Sequence, residues 1–414
     1  MAHRNGVHLI DNQYSNRALK TAVIGGGAAG CFCAVQLKRN RPEAEVCVFE
    51  SGPSTMHKLS LTGGGRCNFT NSFERVSSLE EVYPRGFRQM KRLLAAFDHR
   101  DTGKWFSLLG IGSVVEPDSR VFPSCMDARK VVRSIQKEMS RLGVSVECGH
   151  RVESISPAPQ GGWTVDSEHF DNVVVTTGGG LLKALGSLEI ATVKPVPSLF
   201  TLRLDCAAIK ELMGVSAPDA TVSIQGTAFK SRGALLITDW GISGPATLRL
   251  SSYAARFLAE KNYICNLAIN WVSSNQQEIQ DRCRKLKSSC PRKMLSTTCP
   301  QGLPDRLWKF ILKERCGLRD DLRWAEIGDK GINRLSSILT SDSYPVCGRA
   351  AFKEEFVTAG GISLDAVDIR SLECKKYPGL YFAGEVLDID AVTGGFNLQA
   401  AWSTAYCVAA AISD

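Results

Sequence analysis

TAVIGGGAAGCFCAVQLKRNRPEAEVCVFE, residues 21–50, is the stretch that decides the fold. Ala22, Val23 and Ile24 make a short apolar run of the kind that forms a strand buried on both faces. Gly25, Gly27 and Gly30 follow in G-x-G-x-x-G spacing. Residues 28–38, with Ala29 in the first turn, have the composition of a helix, and Val46 to Phe49 make a second apolar run closed by Glu50. In that order each glycine has its own duty: the first makes the tight turn, the second lets backbone approach a pyrophosphate, the third packs helix on strand. The helix start offers free N–H groups and a positive dipole end to phosphates. Glu50 ends the second strand, where an acidic side chain takes ribose hydroxyls. A Gly-rich turn in an ordinary βαβ unit shares the spacing, but here strand, glycines, helix, strand and acid come in sequence. That reads as dinucleotide binding, without separating FAD from NAD.

The chain has 414 residues, 44% hydrophobic and 22% charged, a globular composition sufficient for two or three domains. No run of about 18 apolar residues occurs, so no membrane-spanning helix is expected. Fifteen cysteines, none in a C-x-x-C pair, argue against a metal site or a disulfide framework and for a reducing compartment. Fifty Lys and Arg against 42 Asp and Glu leave a charge of +8. The excess reads as spread along the chain, a solvated surface that only mildly favours anionic partners. Residues 1–19 read as a leader without the apolar core of a secretory signal. Arg4, Arg17 and Lys20 keep an organellar transit segment open, so the expected compartment is the cytoplasm, with a plastid or other organelle as alternatives.

After Glu50 comes SGPSTMHKLSLTGGGRCNFTNS, residues 51–72. Gly63, Gly64 and Gly65 let backbone N–H groups approach a ligand. Arg66 can meet a phosphate or a flavin carbonyl, and Asn68 can both donate and accept. Cys67 reads either as a low-pKa thiol or, by base rate, as a packed structural cysteine. Near the other end, residues 380–383 form a strand ending in Gly384-Glu385, where a carboxylate can reach a ribityl hydroxyl. A nicotinamide enzyme has no use for that element, so it decides for FAD. Gly394-Gly395 opens a helix over 397–411 that is rich in Ala and able to pack closely. Its start, with Asn397 and Leu398 in the first turn, is expected to point at the flavin pyrimidine, where negative charge collects on reduction.

On these residues the chain resembles the YhiN/BaiN-like family of FAD-dependent oxidoreductases. TGGGRCN after a Rossmann fingerprint, SRVFP at 119–123, PVPSLF at 195–200, LLITDWGISGP at 235–245 and GLYFAGEVLDIDAVTGGFNLQ at 379–399 match its motifs in order. The middle segments look most like its plant and cyanobacterial branch. Phe396 stands where the family usually has Tyr. The segment after Gly178-Gly179-Gly180 is shorter than usual and lacks the family's G-D-G-Y and G-H residues. The resemblance implies an α/β fold: a Rossmann-like doubly wound FAD-binding domain, residues 20–197 and 352–414, with an inserted β-plus-helical domain at 198–351 on the substrate side. It implies non-covalent FAD, a strand at 172–177 ending near the adenosine at Thr177 and Gly178, and adenine contacts from the Val152 backbone. It also implies flavin-mediated hydride transfer on a small-molecule substrate, with reduction of a conjugated enone as a candidate reaction.

Between the motifs, residues 130–142 have helical periodicity. Residues 144–147, 152–155 and 163–165 read as short strands, with Gly161-Gly162 as a hairpin turn. In the insert, 200–204, 221–224, 234–237 and 264–270 read as strands, and 246–260, 276–287, 304–313 and 331–339 as helices. Arg282, Arg284, Lys285, Lys287, Arg292 and Lys293 form a basic cluster, read as a solvated helix face over a site for an acidic partner. No aromatic interleaving marks nucleic-acid stacking, so nucleic acid is not the expected partner. A single dinucleotide fingerprint leaves NAD(P)H, if used, as a transient donor. A flavin-dependent RNA-modifying enzyme and a non-catalytic flavin-binding interaction protein stand as alternatives, the first weakened by the lack of catalytic cysteine pairs. None of the six His lies in a matched motif, so no catalytic residue is assigned, and nothing in the sequence sets the oligomeric state.

Overall fold

The computed structural model describes residues 18–179, 183–350 and 357–414. The expected leader up to residue 17, Gly180 and the domain boundary placed at 351/352 lie outside the described residues. The apolar run at 22–24 becomes the middle of a five-stranded parallel sheet. Its order is Leu380–Phe382, Asn172–Val175, Lys20–Ile24, Glu45–Glu50, Ser145–Cys148. Ile24 pairs with Val175 on one side and Phe49 on the other, and Ala22, Val23 and Ile24 are buried, which is why only compact apolar side chains suit them. From this strand the chain goes first to one side of the sheet and later to the other. That reversal makes a switch point, and ligands of such sheets bind beyond the carboxyl ends of the strands there. The helix Ala28–Asn40 packs along the C-terminal helix Phe396–Ser413 as well as on the sheet, so residues around most of its circumference are buried. Phe32 on it sits 4.4 Å from the Trp105 ring and 5.5 Å from that of Trp402.

Between residues 202 and 349 the chain forms a closed antiparallel barrel rather than the small β layer expected. Its order is Leu202–Leu204, Gly241–Ser243, Lys230–Ile237, Ser216–Ile224, Ile264–Asn270, Asp342–Arg349. The two closing strands escaped the sequence reading for physical reasons. Gly241–Ser243 is only three residues long, and Asp342–Arg349 contains an Asp and a Pro, both depleted in strands. Asp342 is nonetheless buried, because Arg315 (2.6 Å), the Trp271 indole N–H (3.0 Å) and the Tyr344 hydroxyl (2.7 Å) all donate to its carboxylate. Gln276–Ser289, Asp305–Phe310 and Asp329–Thr340 form a helical subdomain between the last two barrel strands.

Three further elements differ from expectation. The helix expected over 246–260 is two, Gly244–Tyr253 and Ala255–Glu260, broken where the Ala254 N–H turns to both the Leu250 and Ser252 carbonyls. The helix expected over 304–313 widens after Phe310 into a π-helical turn at Ile311–Arg315. The strand expected at 152–155 starts only at Ile155, because the N–H groups of Glu153 and Ser154 go to the Asp166 carboxylate instead of a neighbouring strand.

Sheet and barrel meet at a buried ion pair. Arg85 donates to both carboxylate oxygens of Asp390, which has no exposed side-chain surface. The Ser198 hydroxyl donates to the same carboxylate at 3.2 Å, and Arg85 donates to the Ser252 carbonyl at 2.7 Å. Arg256 and Asp388 form a second, more exposed pair at 2.7 Å. Removing one member of a buried pair leaves an uncompensated charge, which typically costs about 3–5 kcal/mol. Asp390→Ala should lower the urea midpoint accordingly at an unchanged slope, and Arg85→Met with Asp390→Leu should recover most of the loss. A single variant as stable as the parent would show that the pair does not hold the seam.

Candidate cofactor site

The cradle begins where the middle strand ends. Gly25 takes φ of +110°, open to glycine, and its N–H donates to the Phe49 carbonyl at 2.8 Å. A Cβ on Gly30 would overlap the Gly25 carbonyl oxygen, whereas one on Gly27 would meet nothing within 4 Å. The Thr176 hydroxyl donates to the Gly25 carbonyl at 2.7 Å and fixes the turn from below. The helix Ala28–Asn40 has no side-chain cap, so its first-turn N–H groups face the open space beside Gly27. Open space beside Gly27, Gly64 and Gly65, uncapped N–H groups and an adjacent acid fit an extended dinucleotide.

Glu50 stands at the edge of this space. One carboxylate oxygen accepts from the Gly26 N–H (2.9 Å) and the other from the Gly52 N–H (2.6 Å). A carboxylate has about four acceptor positions, so hydroxyl groups can still be taken. The backbone of 149–152 lies against the same strand end, with the Gly149 N–H on the Gly52 carbonyl (2.8 Å) and the His150 N–H on the Glu50 carbonyl (3.0 Å). Val152 is buried there.

The glycine-rich loop forms a tight turn, Thr62–Gly65, with positive φ at Gly63, Gly64 and Gly65. Arg66 is held by Glu116 at 2.8 Å and lies over the Phe122 ring at 4.2 Å, with part of its side chain exposed. Cys67 is fully buried, and burial pushes its thiol up to about 12, which agrees with the packed structural cysteine favoured by base rate over the low-pKa thiol. Asn68 joins this loop to the C-terminal helix. Its amide oxygen accepts from the Gly395 N–H at 3.0 Å, and its nitrogen donates to the carbonyls of Thr70 (2.9 Å) and Val121 (3.1 Å).

Gly395 has φ of +91°, and a Cβ there would overlap the Thr70 carbonyl. Asn71 donates to the Gly394 carbonyl at 3.0 Å. The Asn397 amide makes two 2.9 Å bonds to the backbone of Ala391, one donated and one accepted. With the Gly395 N–H taken by Asn68, the outward donors of this helix start are those of Phe396, Asn397 and Leu398, ahead of the first intrahelical bond at Gln399.

Glu385 lies between these ends. It follows Gly384, whose Cβ would sit 2.8 Å from Ala29 and whose N–H donates to the Thr404 hydroxyl at 2.9 Å. The Glu385 carboxylate accepts from the Thr358 N–H at 2.8 Å. It comes within 3.4 Å of where a Gly178 side chain would begin, with Thr177 adjacent in the chain. Burial pushes its pKa up, against the opposing pull of Lys58 and of the Thr358 and Gly179 N–H groups.

The sequence-derived candidates thus gather in two groups. Gly25, Gly27, Ala29, Gly30, Glu50, Val152, Thr177, Gly178, Gly384 and Glu385 ring the sheet end. Gly64, Gly65, Arg66, Cys67, Asn68, Gly394, Gly395, Asn397 and Leu398 form the meeting of loop and C-terminal helix. Thr358, Asn71 and the Arg85–Asp390 pair were missed. Asp390 lies within a matched motif, but Thr358 acts through its backbone N–H, which leaves no trace in residue type. No group of three or more His, Cys, Asp or Glu among the described residues is arranged to hold a metal ion, and no helix among them is long and apolar enough to cross a membrane.

A parallel sheet with a glycine cradle at its switch point, an acid on the second strand and a distal Gly-Glu at the returning strand defines a flavoprotein of the dinucleotide-binding type. The HI0933-like protein Rossmann domain matches residues 19–411, and the chain belongs to that family. It is an FAD-dependent oxidoreductase. It is 28% identical over 428 residues to a ribosomal RNA dihydrouridine synthase of Haemophilus influenzae, covering 97% of this chain and 99% of the relative. An Escherichia coli protein of the same name is 27% identical, covering 94% and 96%. The 3-dehydro-bile acid Δ(4,6)-reductase of Clostridium scindens is 26% identical, covering 95% and 99%.

The loop carrying Val152 is tied down by His150 as well as by the Asp166 carboxylate. His150 bonds Asp166 at 2.9 Å and Glu147 at 2.8 Å, and these two carboxylates, Asp166 first, raise its pKa. The stabilisation is therefore complete below the unfolded value of about 6.5 and is lost as pH rises through the raised folded value. Between about pH 6 and pH 8.5 the melting temperature of the parent should fall more steeply than that of His150→Gln. Parallel profiles would show that this clamp contributes nothing.

Proposed function

We propose that the protein uses FAD to transfer a hydride to a C=C bond conjugated with a carbonyl. The observation that carries this reading is the chemistry shared by full-length relatives of two different names. Forming dihydrouridine reduces the C5=C6 bond of uracil, conjugated to a ring carbonyl, and a Δ(4,6)-reductase acts on double bonds conjugated with a 3-oxo group. In each case the net change is a hydride on the electron-poor end of the conjugated C=C, the β-carbon of an enone or the δ-carbon of a 4,6-dienone, and a proton on the other carbon of that bond. Bound FAD supplies that hydride after reduction by a donor, with NAD(P)H as the candidate.

In this reading Gly25, Gly27, Ala29 and Gly30 hold the pyrophosphate, Glu50 the adenosine ribose, and the Val152 backbone the adenine, with Thr177 and Gly178 beside it. Glu385, presented by Gly384, addresses the ribityl chain. Gly64, Gly65 and Arg66 to Asn68 line the ring with the helix start at Gly394, Gly395, Asn397 and Leu398, whose N–H groups favour developing negative charge. Cys67 packs the loop and does not act as a nucleophile. A small conjugated enone is one acceptor class. The names of the two bacterial synthases favour a second, the uracil ring within RNA.

Two measurements test this. The FAD-loaded protein, reduced anaerobically with NADPH or NADH, should be reoxidised by a 3-oxo-Δ4 steroid or by a uridine-containing RNA, with a gain of two hydrogens in the product mass. Reduced flavin that no conjugated carbonyl reoxidises would overturn the reading. Glu50→Ala should weaken FAD binding by about ten- to a hundredfold, the worth of a charge-assisted hydrogen bond of about 1.5–3 kcal/mol. FAD retained at parental affinity through dialysis would remove Glu50 from the site.

A further inference from the structure

The net charge of the chain is not distributed as the sequence reading supposed. Residues 198–350 hold 22 Lys and Arg against 14 Asp and Glu, while the rest of the chain holds 28 of each sign. The whole excess of +8 belongs to the insert. Within it, residues 276–341, the helical subdomain, carry 14 basic against 8 acidic side chains.

Some of these cations are structural. Arg315 is bound to buried Asp342, Lys287 donates to the Ile327 carbonyl at 2.7 Å, and Arg284 pairs with Asp281 at 3.0 Å. Others are exposed and form no ion pair among the described residues: Arg282, Lys285, Arg292, Lys293 and Arg323. The fold brings three of them together. Residues 291–295 run antiparallel to 322–325, with Met294 bridged to Arg323 and the Trp324 N–H on the Lys293 carbonyl at 3.0 Å. Arg292 and Lys293 thus lie in the turn leading into Met294, beside Arg323 across a single bridge, directly after the helix that carries Arg282 and Lys285.

The position of this face limits what it can recognise. The helical subdomain joins the barrel at Asn270 and Asp342. The other end of the strand Asp342–Arg349 lies on the sheet side, where the Ala350 N–H bonds Thr201, near Ser198 and its contact with Asp390. Eight residues at about 3.3 Å each put the two ends on the order of 25 Å apart. A small acceptor at the flavin cannot touch both, whereas a polyanion can. Lone cations held against self-repulsion, with no acidic partner of their own, suit a phosphate backbone.

We infer that the exposed basic face of the helical subdomain docks the phosphate backbone of RNA whose uracil reaches the flavin. This rests on the RNA form of the proposed function, and its test is separable from that chemistry. The FAD-loaded full chain is titrated against a fluorescein-labelled RNA hairpin of about 30 nucleotides between about 50 and 200 mM salt, the range over which phosphate contacts weaken steeply. The parent should bind with strongly salt-dependent affinity. A variant carrying Lys285→Gln, Arg292→Gln, Lys293→Gln and Arg323→Gln should bind at least about tenfold more weakly, its salt slope shallower by about 0.7–0.9 for each phosphate it no longer neutralises. Its FAD content and its turnover of a small enone should be unchanged. Parental affinity and slope in the variant, or no RNA binding by the parent at the lowest salt, would overturn the inference. Intact binding without reduction of any conjugated carbonyl would instead overturn the proposed chemistry and leave the docking face standing.

Discussion

Close backbone contact at the start of the first helix is the constraint on which the rest of the structure depends. Gly30 lies against the Gly25 carbonyl, and Gly384 lies against the Ala29 methyl group, leaving no room for a side chain of its own. These contacts draw the first helix, the middle strand and the returning strand Leu380–Phe382 to one point. They set the uncapped N–H groups of the helix at the end of the sheet, where Thr176 and Thr404 bind the turns in place. A methyl group at Gly30 would push the helix outward and separate the donors from the acid on the neighbouring strand. The electrostatics of the cradle are therefore a product of packing: the donors and the carboxylate are useful because small residues hold them close.

The seam with the barrel extends that logic to the other end of the site. Residues 388–391 are gripped by Arg256 and Ser198 on one side and by Arg85 on the other, while Asn397 holds both backbone groups of Ala391. The start of the C-terminal helix is thus referred to both bodies at once. A shift of the barrel would be transmitted through Asp390 and Ala391 to the helix end that the Asn68 loop also holds.

What was legible in the sequence follows from which interactions leave a trace in residue type. The strand–glycine–helix–strand–acid unit was readable because each position there is demanded by local geometry, and the distal Gly-Glu and Gly-Gly pairs for the same reason. The barrel was only half legible: Ile264–Asn270 carries an apolar pattern, whereas Asp342–Arg349 hides a buried carboxylate whose partners lie on other elements. Cys67 was ambiguous because a thiol beside an arginine looks activated until the structure turns Arg66 toward Glu116 and encloses the sulfur. The charge asymmetry was present in the sequence throughout. It became visible only once the structure showed which residues lie between the first and last barrel strands.

The bond between Asn68 and Gly395 also has a consequence for how the protein is made. Thr70 and Gln399, which meet beside it, are separated by 329 positions, and the barrel with its own hydrophobic core lies between them in the chain. During synthesis the first βα unit emerges early, and the barrel can collapse on its own core while the C-terminal helix is still inside the ribosome. Until that helix docks, the glycine-rich loop lacks its anchor and the sheet lacks the edge strand Leu380–Phe382. The nascent chain therefore passes through a stage in which the nucleotide cradle is half built and its apolar sheet edge is open.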